Sequence, residues 1–93
     1  LAMGYEFTAN FQESVQRMMI LNRQGQIQLE LGNLSEAKVL FNMVLEKYPE
    51  LTYWEKSFAT TGLGLIALEE KELQKALELG QKGYDFAKLA SAY

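Results

Sequence analysis

The sequence predicts an all-α fold of about four helices arranged as antiparallel hairpins. Three observations predict it. The 93 residues contain one proline and no run in which apolar and polar residues alternate as in a half-buried strand. Helix-start signals recur at Asn10-Phe11-Gln12-Glu13, Asn33-Leu34-Ser35-Glu36 and Thr52-Tyr53-Trp54-Glu55. In the first two, the asparagine side chain can cap the amide of the glutamate, and the glutamate can reach back. Finally, the chain matches itself when Gly25 is laid on Gly64: Ile27 and Leu29 then fall on Ile66 and Leu68, and Glu30, Leu34 and Ala37 on Glu69, Leu73 and Ala76. A repeat of about 40 residues built from two helices points to a solenoid.

The first helix is expected from Asn10, with residues 1–9 a flexible start or a remnant of protein production, in a chain cut from a longer protein. Phe11, Val15, Met18, Leu21 or Asn22, Gly25 and Leu29 recur at three- and four-residue spacing, which makes an amphipathic helix. Gly32 suits the left-handed position just past its end. The second helix starts at once and carries Leu34, Ala37, Phe41, Val44, Leu45 and Tyr48 on one face. Pro49 ends it, because proline cannot continue a helix and biases Tyr48 away from helical geometry. The third helix opens at Thr52 with Trp54, Phe58, Leu65 and Leu68 on one face.

The fourth boundary, Glu69-Glu70-Lys71-Glu72, contains neither glycine nor proline. A turn there is inferred from the repeat. Local chemistry alone reads residues 52–91 as one helix, a long arm able to swap between two chains. With the turn, residues 10–93 form one domain, unit one spanning about 10–50 and unit two about 51–93.

A glycine inside a helix costs roughly 1 kcal/mol against alanine and is tolerated where a neighbouring helix comes close. The repeat therefore predicts two close contacts, Gly25 against Ala37 and Gly64 against Ala76. Phe41 is expected to fill the wider part of the first interface, and Val44 to meet the following helix.

The first unit resembles a tetratricopeptide repeat (TPR). Leu21, Gly25, Gly32, Ala37, Phe41, Val44 and Pro49 fall on that pattern, while Gln24 and Gln28 depart from its leucine and aromatic. In the second unit Leu63, Gly64, Ala67, Ala76 and Gly83 match. Lys71, Gly80 and Lys88 stand where the first unit has Gly32, Phe41 and Pro49. The period is longer than the family's usual one; such longer units resemble those of bacterial peptide-pheromone receptors and signalling regulators. The resemblance implies a TPR-like α-α superhelix whose inner wall is lined by the first helix of each unit. It assigns Met19, Asn22, Arg23, Gln26 and Glu30 to that wall in unit one, and Phe58, Thr61, Leu65, Leu68 and Glu69 in unit two. Asn22 and Gln26 would hydrogen-bond an extended peptide, with Phe58 and Leu65 offering apolar pockets. For Phe58, Leu65 and Leu68 the simpler reading is that they complete a thin core. Relatives that grip a C-terminal carboxylate place two basic residues on this wall; only Arg23 is basic here.

Composition narrows the function classes. Net charge is −3, which argues against nucleic acid and anionic membranes. No apolar run approaches the roughly 20 residues of a membrane span. Without cysteine or histidine there is no thiolate metal site, and the commonest general base is missing. No catalytic residue, metal site or cofactor is expected, and a cytoplasmic setting is.

Three patterns carry competing readings. Gly62-Leu63-Gly64-Leu65-Ile66-Ala67 has the form of a dinucleotide fingerprint, but that mechanism needs a strand before the glycines and a helix opening after them. Helix packing is the simpler account. Glu69, Glu70, Glu72 and Glu78, interleaved with Lys71 and Lys75, read as a solvated helix end and not as a converging cation site. Ala76, Gly80, Gly83, Ala87 and Ala90 form a stripe of small residues that either packs on the preceding helix or, through Gly80, Gly83 and Ala87, receives a second copy of the chain.

These readings converge on a protein–protein interaction or self-association module, not an enzyme, with a protein or peptide as partner. Two units fall below the usual minimum of three for a stable solenoid. Exposed apolar faces are therefore expected to pair and give a homodimer. The alternative is a segment of a bacterial signalling or transcription regulator that senses a peptide or small ligand in the concave groove.

Overall fold

The computed structural model describes residues 2–47 and 53–92, with side chains from Gln12 onward. Among these residues the fold is all-α, with helices α1 (Ala2–Glu30), α2 (Leu34–Lys47), α3 (Tyr53–Glu69) and α4 (Leu73–Ala92) forming two antiparallel hairpins and no strand. The start expected at Asn10 is corrected: α1 begins at Ala2, so Asn10 and Glu13 lie within the helix. Nothing between Ala2 and Ala9 stops a helix, since that stretch contains no proline. Asn33 does precede α2, with its carbonyl accepting the Ala37 amide at 3.0 Å and its side-chain amide donating to Gln28 Oε1 at 2.8 Å. α3 begins just after Thr52. Thr52 itself and the stop at Tyr48 and Pro49 lie outside the described residues.

The turn inferred from the repeat is present, so residues 52–91 are two helices and not one. Both hairpin turns have the same hydrogen bonding. After α1, Gly32 adopts φ 82°, its amide donates to Leu29 O, and the Asn33 amide donates to Gln28 O at 2.9 Å. After α3, Lys71 adopts φ 62°, its amide donates to Leu68 O, and the Glu72 amide donates to Ala67 O at 2.8 Å. This pair of bonds, closing over a left-handed residue, satisfies carbonyls that the helix end would leave open. Lys71 fills that position despite its Cβ.

The core lies between α1, α2 and α3 and is formed by Met18, Ala37, Phe41, Val44, Ala59 and Ile66. A Cβ on Gly25 would meet the Phe41 ring 2.8 Å away, so that ring occupies the space that Gly25 leaves. Gly62 of α3 meets the same ring. A fully buried phenylalanine thus contacts glycines of two different helices. The Gly64–Ala76 approach is as expected, with the Ala76 carbonyl 3.6 Å from where a Gly64 Cβ would lie.

The core position expected of Phe58, Leu65 and Leu68 is also corrected. Ala59, Thr60, Gly62, Ile66 and Ala67 are buried, whereas Trp54, Phe58, Leu65 and Leu68 are exposed. The side of α3 that meets α1 and α2 carries its small residues, because only these allow the helices to approach. The large apolar side chains are left outside.

α4 comes within packing distance of α3 alone. Gly83 is its one buried residue and lies against Thr61 and Ser57, whose hydroxyl donates to the Gly83 carbonyl at 2.7 Å. Tyr53 and Phe86 stack with ring centroids 6.2 Å apart. The largely buried Lys56 lays its ammonium near both rings. An ion pair from Lys38 of α2 to Glu70, at 3.0 Å, ties the α3–α4 turn back to the first hairpin. Every helix keeps an exposed face.

Candidate functional site

A groove follows α1 and α3, the first helices of the two hairpins. It consists of three hollows that share residues. The first, of about 360 Å³, is lined by Met19, Asn22, Arg23, Gln26, Glu55 and Phe58, together with Ile27. The second, of about 270 Å³, shares Gln26 and Phe58 and adds Trp54, Thr61 and Leu65. The third, of about 370 Å³, shares Leu65 and reaches Leu29, Leu34, Leu68 and Glu69.

Nine of the ten residues assigned to the wall thus line these hollows: Met19, Asn22, Arg23, Gln26, Phe58, Thr61, Leu65, Leu68 and Glu69. Glu30 lines none of these hollows; its carboxylate accepts a hydrogen bond from Gln26 Nε2 at 3.1 Å. Exposure along α3 favours the groove over the core for Phe58, Leu65 and Leu68, which are all about half exposed.

The role expected of Asn22 is corrected. Asn22 is 2% exposed, and its amide is used within the chain, donating to the Glu55 carbonyl at 3.1 Å and the Glu55 carboxylate at 2.6 Å. A bond to the charged form of Glu55 is among the stronger kinds. It anchors the first turn of α3 to the middle of α1. The Asn22 Oδ1 is buried and makes no hydrogen bond. Asn22 therefore supports the floor of the first hollow and does not offer a donor to a ligand. Its place in the spacing Met18, Asn22, Gly25, Leu29 is the sequence signal for burial.

The stripe of small residues on α4 divides. Gly83 is taken by α3, so its expected part in self-association is corrected to a contact within the chain. Gly80 is exposed, and a Cβ there would meet nothing within 4 Å. Ala87 is half buried. The glycine pattern from Gly62 to Ala67 is helical throughout, inside α3, so the strand-to-helix geometry of a dinucleotide loop does not exist there. Among the described residues no group of three or more acidic, histidine or cysteine side chains is placed to hold a metal ion, and no helix is long and apolar enough to cross a membrane.

Sequence reasoning did not assign Ile27, Trp54 or Glu55 to the groove, nor Gly62 to the Phe41 contact. Gly62 has Arg23 as its counterpart at the repeat offset, so the repeat gave it no weight. Ile27 pairs with Ile66 at that offset, yet Ile66 is buried and Ile27 exposed, because the two units have different neighbours. Comparison with known proteins finds no matching family model, curated protein or solved structure.

Proposed function

We propose that this chain is a protein–protein interaction and self-association module built from two TPR-like hairpins, and that it receives a protein or peptide segment in the groove along α1 and α3. One observation carries the reading: α3 buries its small residues and leaves Trp54, Phe58, Leu65 and Leu68 in a row along an open groove. Taking one large apolar side chain from full exposure to full burial contributes about 1.5–3 kcal/mol, and these four each have roughly half of their surface still to bury, so together they favour a partner. Contiguous exposed apolar surface of this kind marks interaction sites. The role is non-catalytic and needs no cofactor or nucleic acid.

Trp54 is the only tryptophan and lines the groove, so its emission reports occupancy. Peptides selected from a random display library are expected to shift Trp54 emission to the blue and to lose at least tenfold in affinity for the Phe58→Glu, Leu65→Glu double variant. Selected peptides that bind this variant as well as the parent chain would refute the groove as the site.

The first hollow favours a second reading, a ligand-sensing segment of a bacterial regulator. Its volume of about 360 Å³ lies within the size range of small-molecule pockets. This reading expects a metabolite to raise the melting temperature, and Gln26→Ala to reduce that rise.

A further inference from the structure

We propose that two copies of this chain associate by exchanging α4: the turn between α3 and α4 straightens, and α4 of each copy packs on α3 of the other. This rests on the self-association half of the module reading and names the surface that joins the copies. The hinge favours it. Lys71 is the one non-glycine residue with a positive φ, 62°, among the described residues, and the left-handed conformation strains its Cβ. Around it Glu69, Glu70 and Glu72 are good helix formers, and no glycine or proline interrupts residues 65–79. Continuing the helix through the turn relieves Lys71 and replaces the turn's hydrogen bonds with helical ones. The Lys38–Glu70 ion pair, which holds this turn from α2, lies at the surface and opposes the change only weakly.

The packing allows the exchange. α4 comes within packing distance of α3 alone, so it can leave without disturbing the first hairpin. What it gives up, the Tyr53–Phe86 stack, the Ser57–Gly83 hydrogen bond and the approach of Gly64 to Ala76, it regains on the second copy. Helical phase lets both halves do so at once. At about 100° per residue, Tyr53, Ser57, Thr61 and Gly64 share one side of a continuous helix with Ala76, Leu79, Gly83 and Phe86, all within about 140°. Two such helices laid antiparallel set α3 of each beside α4 of the other, the relative direction that α3 and α4 already have in the closed hairpin. The second copy's α4 thus covers a surface already shaped to it, with a twofold axis at the hinge.

A pair of cysteines reads the exchange. A Cβ on Gly64 would lie 3.5 Å from the Leu79 Cβ, at the near edge of the range of about 3.5–4.5 Å that a disulfide spans, and the chain has no cysteine of its own. The full chain carrying Gly64→Cys and Leu79→Cys is oxidised at a concentration where equilibrium sedimentation finds a dimer, then unfolded without reductant. The bonds are expected to join two chains, whereas oxidation of the dilute monomer closes the bond within one chain. Lys71→Gly frees the turn and weakens the continuous helix, so in the otherwise unchanged chain it is expected to raise the dimer dissociation constant more than tenfold. A dimer whose cysteines pair within each chain, or whose dissociation constant Lys71→Gly leaves unchanged, overturns the exchange while leaving the module reading standing. A chain that stays monomeric at millimolar concentration overturns it as well, and peptide binding in the groove, measured separately, then decides the module reading.

Discussion

The Phe41 ring occupies the space that a methyl group on Gly62 would need: a Cβ there would lie 2.5 Å from Cζ. Gly25 meets the same ring from α1. Gly62→Ala is therefore expected to destabilise the chain by about 1–3 kcal/mol through overpacking, although alanine is the better helix former by roughly 1 kcal/mol. Urea denaturation measures the loss. In the Phe41→Leu background the same change should be milder, with a coupling on the order of 1 kcal/mol; simple additivity would show that the ring is not the obstacle.

Lys71 holds a left-handed conformation that glycine adopts freely. Lys71→Gly is expected to stabilise the chain by about 1 kcal/mol, and Gly32→Ala to destabilise it by a similar amount. Thermal unfolding of the two variants should thus move in opposite directions. A drop in stability for Lys71→Gly would mean that the lysine side chain makes a contact worth more than the strain.

Asn22 and Gln26 line the same hollow but are expected to separate on substitution. Asn22→Ala removes the bonds to Glu55 from a buried site and should lower stability by about 1–3 kcal/mol. Gln26→Ala removes a bond at the surface and should leave stability within about 0.5 kcal/mol while weakening any ligand of that hollow. Denaturation and binding titrations on both variants test the division of labour.

α4 rests on one neighbour, whereas α2 is packed by both α1 and α3. In dilute solution, where the chain is monomeric, amide exchange should be faster in α4 than in the buried turns of α2 around Phe41 and Val44. Equal protection in both helices at low concentration would contradict this ranking.

The helical hairpins were legible in the sequence because caps, glycine and periodicity are local, and because the repeat supplied the one turn that lacked a local signal. Gly32 and Lys71 occupy equivalent turns, and only the repeat offset could identify the second. What escaped was which face of α3 turns inward. Trp54, Phe58, Leu65 and Leu68 look like a core stripe by hydropathy, yet close helix packing selects Ala59, Gly62 and Ala67 instead. A helix that is apolar on two sides cannot be oriented by periodicity alone. The groove was legible through repeat position, and the burial of Asn22 through its spacing, but the bonds that commit its amide to Glu55 join residues far apart in the chain, an approach that no local spacing encodes.

Lys56 lies beneath the place where α4 closes over α3, its ammonium near the stacked rings of Tyr53 and Phe86. Lys56→Met would keep the apolar stem and remove the charge beside the two rings. Its effect on stability would therefore separate what the cation contributes to this seam from what the stem contributes by burial.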